Sequence, residues 1–271
     1  MIVFDGREFS KKQKEELKIL AERWQKEHRR SPKVVFVLIG ENAASEVYIK
    51  QKQKAAGEIG VEVLVERFEE NKTKEEITKK IKEYSKNPLI DGITVQLPLP
   101  NSLKESTQEI LESIVPEKDI DGLTSKSAFL PAVVRAVLEV MRAYKINPEE
   151  LVCAVVGAKG WVGERMALTL KNKGAKVLKI DLGTEEKISG LKKADLVISC
   201  TGSPGIIMGD FLKEGVKVFD LGVMTVEKGV TKGDVDFESV KEKADFITPV
   251  PGGIGPVTVV SLFANLLEKC W

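Results

Sequence analysis

The 271-residue sequence predicts an α/β protein built from two α/β domains with parallel sheets. Three observations carry that expectation. Short apolar runs of strand length alternate with amphipathic helical stretches along the whole chain. Midway, from Leu151, a complete strand, glycine turn, helix and second strand begin afresh within about thirty residues. The length also accommodates two ordinary domains, each able to bury its own core.

Taken in order, a helix over about residues 10–29 leads into KVVFVLIG, whose unbroken apolar run from Val34 to Ile39 reads as a strand buried on both faces. A helix from about Ser45 to Ile59 precedes the strand VEVLVERF, and KEEITKKIKEYSKN is an amphipathic helix before the strand DGITVQLPLP. Prolines end that strand in a turn. After a KDIDG turn, a long helix is expected from Ala132 to Tyr144. The second half then reads LVCAVVGAKGWVGERMALTLKNKGAKVLKID, followed by the strand candidates DLVISC, KVFDLGV and ITPV and a last helix from Val257 to Lys269. No internal repeat or low-complexity segment is present.

Composition narrows the function. Lys and Arg number 42 against 41 Asp and Glu, so no global field favours nucleic acid or an anionic membrane. No apolar run reaches membrane-spanning length and the start MIVFDGREFSKKQKEE lacks an apolar signal core, which leads us to expect a cytoplasmic protein. Cys153, Cys200 and Cys270 match no metal-ligand spacing and read as packing residues. The single histidine, His28, lies in the charged stretch KEHRRSPK, which leaves Lys, Tyr, Asp or Glu as the proton-transfer groups of any enzyme. Charged residues make up 31% of the chain, mostly Lys and Glu, as on the ion-pair-rich surfaces of thermophile proteins.

Individual segments leave alternatives open. VVGAKGWVGERM places Gly157, Gly160 and Gly163 between a strand and a helix, where small residues let backbone approach a pyrophosphate and free helix-start amides favour its charge. A tight turn needs glycine whether or not anything binds, yet the complete βαβ setting favours a Rossmann-like dinucleotide site. Asp181 ends the next strand, where it either holds the adenosine ribose hydroxyls and repels a 2′-phosphate, favouring NAD, or caps a turn. Lys159 and Lys179 are positioned to attract a 2′-phosphate instead. Tyr48 and Lys52, four apart, share a helix face, although a solvated face is the default for Lys50, Lys52 and Lys54 together. Gln96 lies at the carboxyl end of a parallel strand, a common ligand position. Asp119 and Asp121 bind a cation or cap their turn.

Six segments in this order, SEVYIKQKQKA, DGITVQLPLP, PEKDIDG, VVGAKGWVGERMA, GDVDFESV and ITPVPGGIGPVTVVSL, resemble the bifunctional methylenetetrahydrofolate dehydrogenase/methenyltetrahydrofolate cyclohydrolase family over nearly the whole chain. The resemblance implies a folate-binding catalytic domain over residues 1–119 plus 253–271, a Rossmann-like domain over 120–252, and a cleft between them. It implies oxidation of methylenetetrahydrofolate to the methenyl form with NADP or NAD, followed by hydrolysis to formyltetrahydrofolate, with no metal. Tyr48, Lys52, Gln96 and Asp121 fall on the family's active-site positions. Lys52 would be the acid/base group, positioned by Tyr48 and Gln96, and Asp121 would anchor the pterin ring. Leu97, Pro98, Gly252, Gly253 and Pro256 would shape the folate slot, while Gly157, Ala158, Lys159, Gly160, Val162, Gly163, Asp181 and Val223 would line the cofactor site. The resemblance also implies a homodimer through the Rossmann-like domains, with tetrahydrofolate derivatives as ligands and neither nucleic acid nor membrane as partner.

The cofactor half departs from the family pattern in two strings, and the loop between KDIDG and the helix from Ala132 is shortened. A Pro-Cys-Thr-Pro-x-Gly string is replaced by Pro131, Ala132, Val133, Val134, Arg135 and Ala136, and the usual Gly-Arg-Ser reads Gly157, Ala158, Lys159. The family pattern favours NADP, whereas Ala158 and Asp181 favour NAD. Two other readings accompany this one: another two-domain dehydrogenase, such as one acting on shikimate or an amino acid, and a folate-binding relative that is cyclohydrolase-dominant or without hydride transfer.

Overall fold

The computed structural model describes residues 1–181, 186–225 and 231–268. They divide into two compact units, one holding Lys11–Ala132 and the chain from Val259 onward, the other Met1–Ser10 and Val133–Thr258. In chain order the first half carries β1 (Ile2–Val3), α1 (Gly6–His28), β2 (Lys33–Ile39), α2 (Ala43–Ile59), β3 (Glu62–Phe68), α3 (Lys74–Lys86), β4 (Gly92–Val95), α4 (Thr107–Leu111) and α5 (Ala132–Ala143). The second half carries β5 (Val152–Val156), α6 (Trp161–Asn172), β6 (Lys176–Ile180), α7 (Glu186–Lys193), β7 (Leu196–Ser199), β8 (Val216–Asp220), β9 (Met224–Thr225), β10 (Thr231–Lys232), α8 (Phe237–Lys241), β11 (Ala244–Ile247) and α9 (Ile254–Glu268).

In the unit around Lys11–Ala132, β2 is the middle of a parallel sheet ordered β3-β2-β4. Its side chains alternate between two apolar layers, as strand pleating requires. Val34, Phe36 and Leu38 pack with Ile49, Ile59 and Phe263, whereas Val35, Val37 and Ile39 pack with Ile77, Ile81 and Ile93. Burial on both faces is why the sequence here is continuously apolar rather than alternating. Helix α3 starts at a capping box in which Thr73 and Glu76 satisfy each other's backbone amides.

The other unit holds a six-stranded sheet ordered β1-β11-β8-β7-β5-β6, parallel throughout. The chain passes from β5 to β6 on one side and then to β7 on the other, so β5 is a topological switch point, where open α/β sheets bind ligands. Cys153 and Val155 face one apolar layer with Met166 and Leu170 of α6; Ala154 and Val156 face another with Leu191 and Val240.

The expected elements occur, with shifted ends. Helix α1 begins at Gly6 rather than near residue 10, because Asp5 Oδ1 accepts the amides of Arg7 and Glu8 at 3.0 Å each and starts the helix earlier. The strand expected at ITPV spans Ala244–Ile247 instead, since Pro249 and Pro251 have no N–H to extend a ladder. Helix α9 starts at Ile254, and Pro256 is tolerated in its first turn, where an N–H would have no helical partner.

The division of the chain differs from the expected 1–119 plus 253–271 against 120–252. Residues 120–132 group with the first unit, where Asn265 Nδ2 donates to Ile120 O and Leu130 O at 2.9 Å each. Residues 1–10 and 253–258 group with the dinucleotide-type unit: β1 pairs with β11, Phe4 packs edge-on against Phe9 and Tyr144, and Gly6 N donates to Gly252 O at 2.8 Å.

Candidate active site

Helix α2 carries the first candidate residues. Asn42 Oδ1 caps its start by accepting Ser45 N at 3.0 Å, and Gly60 ends it in a left-handed conformation. The face bearing Ser45, Ile49, Lys52, Ala55 and Ile59 is buried. The solvated-face reading therefore holds for Lys50 and Lys54, which are exposed, and fails for Lys52, which is 5% exposed.

A buried lysine needs a partner. Lys52 Nζ donates to Asp121 Oδ2 at 3.2 Å and sits 5.8 Å from the ring centres of both Phe36 and Tyr48. Burial, then the nearby Asp121 charge, push the Tyr48 phenol up to about 12, so it remains a neutral hydrogen-bond donor.

The KDIDG turn divides its two acids. Asp119 is fully buried and accepts Thr124 N at 2.7 Å, which is turn capping. Asp121 is part of the Lys52 pair. Its backbone is fixed by the Ile93–Asp119 bridge to β4 and by Ala132 N donating to Asp121 O at 3.1 Å. Among the described residues no group of three or more His, Cys, Asp or Glu side chains converges to hold a metal ion.

Gln96 follows β4, with its amide bonded to Val37 O at 2.8 Å. Its side chain is 9% exposed; Nε2 donates to Leu97 O at 2.7 Å while Oε1 is buried without a partner among the described residues. A buried acceptor left open in this way is what a ligand donor would satisfy. Leu97–Pro98 is a cis peptide and Pro98 is exposed. Sequence reasoning missed Thr94, whose Oγ1 donates to Asp121 Oδ2 at 2.7 Å. The signal was available, because Thr94 and Gln96 are two apart on a strand and share a face.

In the other unit, the glycine turn lies after β5 at the switch point. Gly157 has φ 82°, its amide donates to Ile180 O at 2.8 Å, and a Cβ there would lie 2.9 Å from Cys200 O. A Cβ on Gly163 would lie 2.2 Å from Gly157 O, so helix and turn meet only through glycine. Gly160 begins α6 without a side-chain cap. Ala158 is buried, Lys159 exposed and Val162 half-buried. Asp181 directly follows β6 and accepts Lys159 N at 3.1 Å, with Lys159 Nζ 3.1 Å from its other oxygen. Lys179 and Val223 are exposed. Gly252, Gly253 and Pro256 lie in the unit that holds Met1–Ser10 and Val133–Thr258. Gly253 serves close backbone approach, since a Cβ there would lie 2.4 Å from Pro249 O, and Gly252 has φ 100°.

The GDVDFESV segment, which sequence reasoning left without a role, forms a carboxylate clasp at the carboxyl ends of β7 and β8. Asp234 accepts Ser199 Oγ and Thr201 N at 2.7 Å each and Ser203 N at 2.8 Å. Asp220 accepts Gly222 N at 2.9 Å and the amides of Asp234 and Val235 at 3.0 Å. Burial pushes the Asp220 carboxyl up to about 6, with the three amides opposing it and the Asp234 charge adding to it. A Cβ on Gly222 or Gly233 would come within 2.0 Å of a clasp oxygen, so both positions must be glycine.

Comparison with known proteins matches residues 4–121 to the tetrahydrofolate dehydrogenase/cyclohydrolase catalytic domain and 131–270 to the NAD(P)-binding domain of the same family. The chain belongs to this family. A bifunctional protein FolD of Nitrosospira multiformis is 38% identical, covering 97% of this chain and 93% of that protein. The crystal structure of the Campylobacter jejuni methylenetetrahydrofolate dehydrogenase/cyclohydrolase superimposes with TM-score 0.93 at 37% identity, covering 99% of this chain and 98% of that one. The Trypanosoma brucei enzyme, solved with NADP and an inhibitor, superimposes with TM-score 0.91 at 28% identity, covering 99% and 98%. Membership of the folate family removes the shikimate or amino-acid dehydrogenase reading.

Proposed function

We propose that this family member oxidises methylenetetrahydrofolate to the methenyl form with a nicotinamide dinucleotide and hydrolyses the methenyl form to formyltetrahydrofolate. The observation that carries the residue assignment is the Lys52–Asp121 pair, 3.2 Å long and enclosed by Phe36, Tyr48 and Thr94. In hydrolysis a water adds to the cationic methenyl carbon, and one carbon–nitrogen bond then breaks. Lys52, reacting as the free amine beside the cationic methenyl carbon, takes the proton that the water loses and returns it to the departing ring nitrogen. Tyr48 donates from a phenol that stays neutral, Gln96 offers its open carbonyl, and Asp121 receives N–H donors of the pterin edge. Leu97 and Pro98 follow Gln96 and shape the slot beside it.

The turn around Gly157 fits a dinucleotide, because glycines at 157 and 163 let turn and helix pack backbone against backbone, and α6 starts at Gly160 without a side-chain cap, where helix amides favour a pyrophosphate. When bound, the dinucleotide supplies a hydride acceptor. Gly157, Ala158, Lys159, Gly160, Val162 and Gly163 would hold it, with Asp181 toward the adenosine ribose and Val223 alongside. Asp181 disfavours a 2′-phosphate, and the Lys159 ammonium beside it offsets part of that charge.

The test of the site is Lys52→Met, which keeps the apolar stem and cannot exchange a proton. A positioned acid/base group contributes about 100- to 10,000-fold, and cyclohydrolase turnover should fall within that range while folate binding changes much less. Near-normal turnover in a folded variant would return Lys52 to a structural role.

A further inference from the structure

The Asp121 carboxylate is held at one oxygen from two directions. Lys52 Nζ reaches Oδ2 at 3.2 Å from α2, and Thr94 Oγ1 donates to that same atom at 2.7 Å from β4. Oδ1 makes no hydrogen bond to any described residue. The two donors are unlike. A lysine ammonium rides on a flexible four-carbon stem, whereas threonine is stiff at χ1. Thr94 is also 1% exposed, on a strand whose neighbour in register is Phe36, the ring beneath Lys52.

We infer that Thr94 is a positioning residue of the folate site, its hydroxyl setting the rotation of the Asp121 carboxylate so that Oδ2 stays with Lys52 and Oδ1 faces the substrate. This role rests on the reading of Lys52 and Asp121 given above. The bond at 2.7 Å is a charge-assisted O–H to carboxylate contact, the stronger class of hydrogen bond. It draws part of the carboxylate's charge away from the ammonium. Without it, Asp121 is free to rotate toward Lys52 and both oxygens close on the ammonium, leaving the pterin edge without its acceptor. Because both reactions use the same bound folate, the loss falls on both activities through the KM for folate. Removal of a proton carrier would instead fall on hydrolysis.

The test compares Thr94→Val with Thr94→Ser. Valine keeps the branched shape and removes the hydroxyl; serine keeps the hydroxyl and removes the methyl. With Thr94 as a positioning residue, Val raises the KM for folate in both reactions on the order of 10- to 100-fold, the worth of a hydrogen bond to a charged group, and Ser stays near the parent. If packing alone mattered, Val would stay near the parent and Ser would suffer, and that result overturns the role. So does a Ser variant as impaired as Val. Should the Val protein fail to fold, Thr94→Ala against Thr94→Ser decides the matter, since these differ only by the hydroxyl. Lys52→Met and Asp121→Asn are assayed in the same series. Full hydrolysis in both would overturn the site reading and the Thr94 role together, whereas loss in both with a normal Val variant overturns the Thr94 role alone.

Discussion

Lys52 is costly to bury, and its surroundings show how the cost is offset: one carboxylate, two aromatic faces, and no competing ammonium on its side of α2. Its neighbours Lys50 and Lys54, two positions away on either side, point to solvent. Four-residue spacing put Tyr48 and Lys52 on one face, but spacing is silent on which face of a lysine-rich helix is buried. Asp181 poses the corresponding question for the cofactor. It is engaged by both the amide and the ammonium of Lys159, yet that ammonium is 86% exposed and screened by solvent, so the half-buried carboxylate retains much of its effect on an incoming phosphate. Asp181→Ser should raise the ratio of kcat/KM for NADP over that for NAD on the order of tenfold, the effect of removing one like charge at partly screened range. An unchanged ratio would make Asp181 a turn residue only.

Among the elements, the Asp220–Asp234 clasp ties the carboxyl ends of β7 and β8 to the 233–235 segment, so that three loops at one end of the strands share two carboxylates. Asp234→Ala would leave three donors unsatisfied, one of them the buried Ser199 hydroxyl. At about 1–3 kcal/mol for each buried donor, denaturant unfolding should show several kcal/mol lost. Asp220 gives a pH signature of definite sign. Its folded carboxyl at about 6 lies above the ordinary 3.8, so between those values the folded protein binds the extra proton. The contribution is therefore complete below about 3.8 and is lost as pH rises through about 6. Stability measured across that window should fall with pH by more in the parent than in Asp220→Asn, and identical slopes would remove Asp220 as the cause.

For the whole molecule, the family resemblance leads us to expect a homodimer through the dinucleotide-type unit. Twofold dimers are the commonest closed assemblies, and β6 leaves one edge of the six-stranded sheet without a strand partner among the described residues. Light scattering at micromolar concentration should return twice the chain mass of 29.9 kDa. A monomer mass alone would rule the dimer out. Among the described residues no helix is long and apolar enough to cross a membrane.

The sequence by itself determined whatever is written in short-range pattern. The apolar run at β2 announced a strand buried on both faces, KEEITKKIKEYSK an amphipathic helix, and VVGAKGWVG a glycine turn between strand and helix. Those signals survive because periodicity and turn chemistry depend only on near neighbours. Only the tertiary structure decided what depends on register between distant elements. Thr94 meets Asp121 across 27 positions and Lys52 meets it across 69, while Asn265 draws residues 120–130 into the first unit across 145 and 135. For Gly252 and Gly253 the family words suggested a folate slot, while only packing revealed their close backbone neighbours, Gly6 N bonded to Gly252 O and Pro249 O against Gly253. The paired Asp220 and Asp234 were invisible for the same reason, since an acid in a strand-end sequence reads as solvated until packing removes its water and backbone amides from elsewhere in the chain take the water's place.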